Sequence, residues 1–151
     1  MMTFPHLVLL FALCLQFYNV GTIWFCQLVA YPLFAKVGVP DYVAYHKSYL
    51  QRIPLPVILP GFLCMFTPVL VLILLPATVP VWMAWANVVC GAVTLYVTVG
   101  LEIPRHGRLE KGGKNDQIIA ELVAYNWPRT LSIVGSAIIT VAMAFKAFAP
   151  A

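Results

Sequence analysis

The chain has 151 residues, 62% of them hydrophobic and only 9% charged. A soluble domain carries about 25% charged residues, so the composition excludes an ordinary water-soluble enzyme and favours one integral membrane domain over residues 1–151. The formal net charge of +4 comes without a basic cluster interleaved with aromatics, which argues against a nucleic-acid partner.

The first apolar run, 1–35, carries no charge and is broken only by Gln16, Asn19 and Gln27. It lacks the basic start and small-residue cleavage site of a signal peptide, so a retained span over about 6–33 is expected. His6, near its outer end, reads as an interfacial polar residue. Next comes "GVPDYVAYHKSYLQRIPLP". Pro40 and Asp41 suit a helix start, and Pro54 and Pro56 close the segment. Between them Tyr42, Tyr45, His46, Tyr49, Leu50 and Ile53 recur at helical steps. A short amphipathic helix over about 41–53 is expected, lying at the membrane interface.

Two further uncharged runs, about 57–75 and 81–102, are each near the roughly 20 residues that a crossing needs. The link "PATVP" between them is uncharged. "RHGRLEKGGKND" then turns, and Asn115 is a candidate cap for a helix that kinks or breaks near Trp127 because of Pro128. A fourth span is expected over about 129–149. Ser132, Ser136, Thr140 and Ala144 form a small-residue stripe on it that permits close helix packing. The expected fold class is all-α: an integral membrane four-helix bundle with a short interfacial amphipathic helix. Cys14, Cys26, Cys64 and Cys90 are widely spaced in apolar segments and read as buried small hydrophobes.

Eight of the nine Lys and Arg residues, and all five acidic ones, fall in the two connections 36–56 and 102–129. The positive-inside rule puts those connections in the cytoplasm and both termini outside. Trp82, Trp85 and Trp127 fit the aromatic belts.

This topology brings His46, Glu102 and His106 to one membrane face. Two histidines and a carboxylate can hold iron, zinc or manganese, with Glu121 as a further ligand. Alternatively, Glu102 orients His106 by a hydrogen bond and the set moves a proton. Each residue alone also reads as a solvated helix end. In "NWPRT", Arg129 is either a membrane anchor or the holder of an anionic or quinone-like substrate. Asn126 can donate and accept, and Trp127 either floors a pocket or sits in the belt. Tyr45 and Tyr49 complete the candidate substrate contacts.

The layout of four short spans, with Pro104 and His106 near the end of the third and Asn126, Trp127 and Arg129 ahead of the fourth, resembles small membrane proteins of the anthrone-oxygenase-like family. That resemblance implies a four-helix membrane fold and, for some members, oxidation of an aromatic polyketide. "YPLF" at 31–34 and the His46 helix lie outside the shared pattern.

Three functions compete. The first is a membrane-embedded enzyme, an oxidase or oxygenase, taking a small hydrophobic molecule from the lipid. The second is a non-catalytic membrane subunit or scaffold. The third, a transporter, is disfavoured by the absence of charge at mid-membrane and would call for a homo-oligomer.

Overall fold

The computed structural model describes residues 2–149, and the fold is all-helical. Four helices are long and apolar enough to cross a membrane: α1 (Phe4–Phe34), α3 (Pro54–Ile73), α4 (Val81–Gly112) and α5 (Asp116–Phe148). The short helix α2 (Val39–Arg52) lies between α1 and α3. Around the bundle, α1 contacts α3 and α5, and α4 contacts the same two. The two charged connections therefore share one end. The termini and the 74–80 link share the other, where His6 Nε2 meets the Ala147 carbonyl at 3.2 Å.

Local sequence explains the boundaries. Pro40 and Asp41 occupy the first turn of α2, where a missing N–H is harmless and a negative charge meets the helix dipole. Gly113 ends α4 with φ of 77°, a left-handed conformation that glycine adopts without steric cost. Asn115 caps α5 by accepting a hydrogen bond from the Ile118 amide at 3.0 Å.

The charged end is also where the helices are least regular. Wide π-type turns occupy 26–30 in α1, 54–58 in α3 and 97–102 in α4. Helix α5 carries Pro128 at this level and nevertheless runs unbroken from Asp116 to Phe148. Of the kink or break expected near Trp127, the break does not occur, and the helix begins at the Asn115 cap as its sequence suggests. Gln27 of α1 donates to the Val123 carbonyl at 3.0 Å, in the turn before the proline. Tyr18 similarly donates to the Pro56 carbonyl at 2.9 Å, which Pro60 cannot serve. Exposed backbone groups are costly in hydrocarbon, so side chains from a neighbouring helix support these irregular stretches.

Below this layer the bundle is regular and tightly packed. Gln16 donates to Ser136 at 2.6 Å and Asn87 to Thr140 at 3.0 Å. Ser136 also bonds Asn87. These groups tie α1, α4 and α5 together with hydrogen bonds between helices. Gly91 lets α4 approach α3 so closely that an added Cβ would lie 2.8 Å from the Met65 carbonyl oxygen. An apolar cluster including Leu9, Val71, Met83 and Met143 closes the far end.

Candidate functional site

The contacts between α3 and α4 run between 59–73 and 81–96. Nearer the charged end the two helices diverge, and α2 covers the gap by packing on 103–112. A cavity of about 350 Å³ remains. Its wall is mostly apolar, with Val57, Phe62 and Met65 on the α3 side. Tyr31, Tyr49, Glu102, His106 and Arg129 supply polar groups from the other four helices.

The two histidines meet. His46 Nε2 lies 3.1 Å from His106 Nδ1, and the rings stack with centroids 5.4 Å apart. His106 Nε2 is 3.4 Å from the Tyr31 hydroxyl. Two neutral tautomer sets satisfy both contacts: either His46 donates from Nε2 to His106 Nδ1 and His106 donates from Nε2 to Tyr31, or His106 donates from Nδ1 to His46 Nε2 and accepts at Nε2 from Tyr31. His46 Nδ1 is without a partner in both. Burial lowers the His46 pKa below its ordinary value, opposed by the charge of Glu110. Burial likewise pushes the Tyr49 phenol upward and the Tyr42 phenol up to about 12. These groups of α2 are therefore neutral around pH 7.

Glu102 is 2% exposed, and neither carboxylate oxygen has a hydrogen-bond partner. It does not orient His106. Both line the same cavity, but the His106 nitrogens meet His46 and Tyr31 instead. The charges that act on Glu102 belong to Arg129 and Arg105, and the Tyr31 hydroxyl stands close by. Arg129 is 8% exposed, and its Nε is also unpartnered. Its Nη1 reaches Asn126 Oδ1 at 3.5 Å. Asn126 is itself held by donation to Gln27 Oε1 at 2.8 Å. A buried carboxylate and a buried guanidinium with unused hydrogen-bonding capacity are costly. Together on one cavity wall, they offer an acceptor and a donor to a guest.

The other candidates sit elsewhere. Glu121 accepts from Arg105 Nε at 2.9 Å, and Arg105 also stacks over Tyr125 at 4.2 Å. Among the described residues, no three His, Cys, Asp or Glu side chains are grouped so as to hold a metal ion. In this arrangement, His46 and His106 turn nitrogens toward each other and Glu121 is taken by Arg105. The set His46, Glu102, His106 and Glu121 does not fit a metal as arranged. Asn126 positions Arg129 from behind rather than lining the cavity. Trp127 is half-exposed and meets Trp24 edge-on at 5.9 Å. Tyr45 packs edge-on against Phe34 at 6.1 Å, outside the cavity lining. Tyr49 and Arg129 do line it.

Tyr31, within reach of His106 and among the groups facing Glu102 and Arg129, is a site residue that the sequence reading misses. Its position in an otherwise apolar "YPLF" is the available signal. Gln27 carries a plainer one, as one of three amides in an uncharged run.

Fold and site together define a small all-helical integral membrane protein with a mostly apolar, polar-capped cavity between its spans. No family model matches the chain, and neither curated proteins nor solved structures give a match.

Proposed function

We propose that the chain is a membrane-embedded oxidase or oxygenase acting on a small hydrophobic molecule that enters from the lipid, with its site near the cytoplasmic face. The observation that carries this reading is buried Glu102, with neither oxygen bonded, together with buried Arg129, whose Nε is free, on the wall of a cavity of about 350 Å³. Ligand pockets are typically about 300–1,000 Å³, largely apolar, with a few convergent polar groups. The charge asymmetry of the connections supports the cytoplasmic placement, and the resemblance to anthrone-oxygenase-like proteins supports the reaction class.

In this reading Glu102 is the general base and Arg129 holds the anion that forms. An activated methylene gives a proton to Glu102, and its carbanion transfers electrons to dioxygen. In balance, the methylene loses both hydrogens and gains one oxygen atom to become a ketone. The second oxygen atom of dioxygen leaves with those two hydrogens as water. Tyr31 and His106 relay a proton in this reading, supported by their 3.4 Å approach, and the step calls on no metal.

The test is oxygen uptake by protein in lipid nanodiscs supplied with an anthrone. Turnover in the parent, lost in Glu102→Gln, is expected. Turnover unchanged by Glu102→Gln would refute the assignment. The scaffold alternative draws on the stacked rings of Tyr42, His46, Tyr49 and His106, which pin α2 to α4. A correctly folded protein with no oxygen uptake would favour it.

A further inference from the structure

We propose that the occupant of the cavity is the ring of a lipid-soluble quinol, bound through both of its oxygens. This inference rests on reading the cavity as an oxidation site and names its substrate class.

The argument begins with what each polar group can still do. An ionised Glu102 is acceptor-only, and both its oxygens are free. Arg129 is donor-only, with Nε free. One hydroxyl can serve both, donating to Glu102 and accepting from Arg129. An ether or ketone could only accept, and would leave Glu102 unpaired.

A second polar group sits about one turn further along α4. Thr98 lines the same cavity, and its hydroxyl already donates to the Thr94 carbonyl at 2.7 Å. It can therefore only accept from a guest. One helical turn is roughly 5 Å, close to the separation of the two oxygens across a six-membered ring. A guest with hydroxyls at both ends of a ring satisfies Glu102, Arg129 and Thr98 together. A fatty acid offers no second hydroxyl, and a simple phenol leaves Thr98 unused.

The walls suit a flat ring. The rings of Tyr49 and His106 lie within 22° of parallel, and both face the cavity. Gly107, one residue beyond His106, contributes no side chain. An added Cβ there would meet no atom within 4 Å. The apolar α3 wall, with Val57, Phe62 and Met65, offers a surface for a hydrocarbon tail. Oxidation by dioxygen balances as one quinol and one dioxygen giving one quinone and one hydrogen peroxide. Two electrons and two protons leave the ring oxygens and reach dioxygen, the first proton passing through Glu102.

The test is isothermal titration of the detergent-purified protein with short-chain ubiquinol, short-chain menaquinol, the matching quinones and dodecanoate. The two quinols distinguish benzene from naphthalene rings. At least one quinol should bind, and more tightly than its quinone, because Glu102 and Thr98 can only accept. Thr98→Val should weaken quinol binding about tenfold and leave the quinone unchanged. Gly107→Leu should abolish both, by filling the cavity. Leucine is also the better helix former, so this variant should melt no lower than the parent.

Quinone binding tighter than quinol, dodecanoate binding alone, or undiminished binding in Gly107→Leu would each overturn the proposal. Anthrone turnover without quinol binding sinks this inference and leaves the proposed function standing. Quinol binding with no oxygen uptake from any substrate does the reverse.

Discussion

His46 and His106 offer a test whose outcome depends on which partner is removed. Replacing His106 by Phe keeps a flat ring beside His46 and Tyr49 but removes the nitrogen that His46 Nε2 meets at 3.1 Å. His46 is fully buried and its Nδ1 has no partner, so the variant holds an imidazole with both nitrogens unpaired. A newly orphaned buried polar group costs about 1–3 kcal/mol. Replacing both histidines by Phe removes both ends of the bond, a change that can be nearly neutral. The double variant should therefore be more stable than His106→Phe, with a coupling energy of about 1–2 kcal/mol. Unfolding in mixed micelles, followed by circular dichroism across the parent, both single variants and the double variant, measures it. Destabilisations that simply add would refute the reasoning. His106→Ala is a poorer probe, because it also empties the stack.

The same pair predicts a pH effect. Burial depresses the His46 pKa in the folded protein, so below the ordinary value of about 6.5 the unfolded chain binds the extra proton first. Stability should be full above about pH 6.5 and fall as the pH drops toward the folded pKa; a His46→Phe variant should lose part of that slope, and an unchanged slope would remove His46 as its source. Gly91→Ala pushes a Cβ to 2.8 Å from the Met65 carbonyl, so α3 and α4 must separate, and overpacking of this kind costs about 1–3 kcal/mol; a melting temperature equal to the parent's would show that the contact yields freely. Glu121→Gln loses a partly exposed ion pair with Arg105, worth about 1 kcal/mol or less, and should leave oxygen uptake intact; loss of turnover with the fold preserved would return Glu121 to the site. For topology, cysteines at Lys47 and Lys111 should label from one side of the membrane and a cysteine at Thr78 from the other; labelling of Lys111 and Thr78 from the same side would overturn the arrangement.

The helices were legible because their signals are local. Pro40 and Asp41 start α2, and Tyr42 and His46, four residues apart, are both buried. Asn115 caps α5 as its side chain and position suggest. The site was legible only in part. Glu102 and His106 also stand four apart, and a regular helix would put them on one face. Both do line the cavity, but His106 meets His46 and Tyr31 and leaves Glu102 unbonded, and hydropathy carries no trace of that choice of partners. Tyr45 shares the periodicity of Tyr49, yet only Tyr49 reaches the cavity. The difference comes from where α3 and α4 diverge, which depends on long-range packing. Trp127 reads more readily as a belt residue than as a pocket floor, and it stands half-exposed.

Three of the side chains that bond backbone carbonyls of other spans come from one helix. Tyr18 reaches the Pro56 carbonyl, Asn19 the Pro60 carbonyl and Gln27 the Val123 carbonyl. Helix α1 is made first, and α3 and α5 leave the ribosome after it. During synthesis, N-terminal segments generally settle before later ones. Spans α3 and α5 would therefore each meet a waiting donor on entering the bilayer. Moving α1 to the end of the chain by circular permutation would keep every native contact but reverse this order. The Pro56 carbonyl, which Pro60 cannot serve, would then enter lipid unserved, costing several kcal/mol until α1 arrived. Biogenesis would suffer even though the finished bundle was the same.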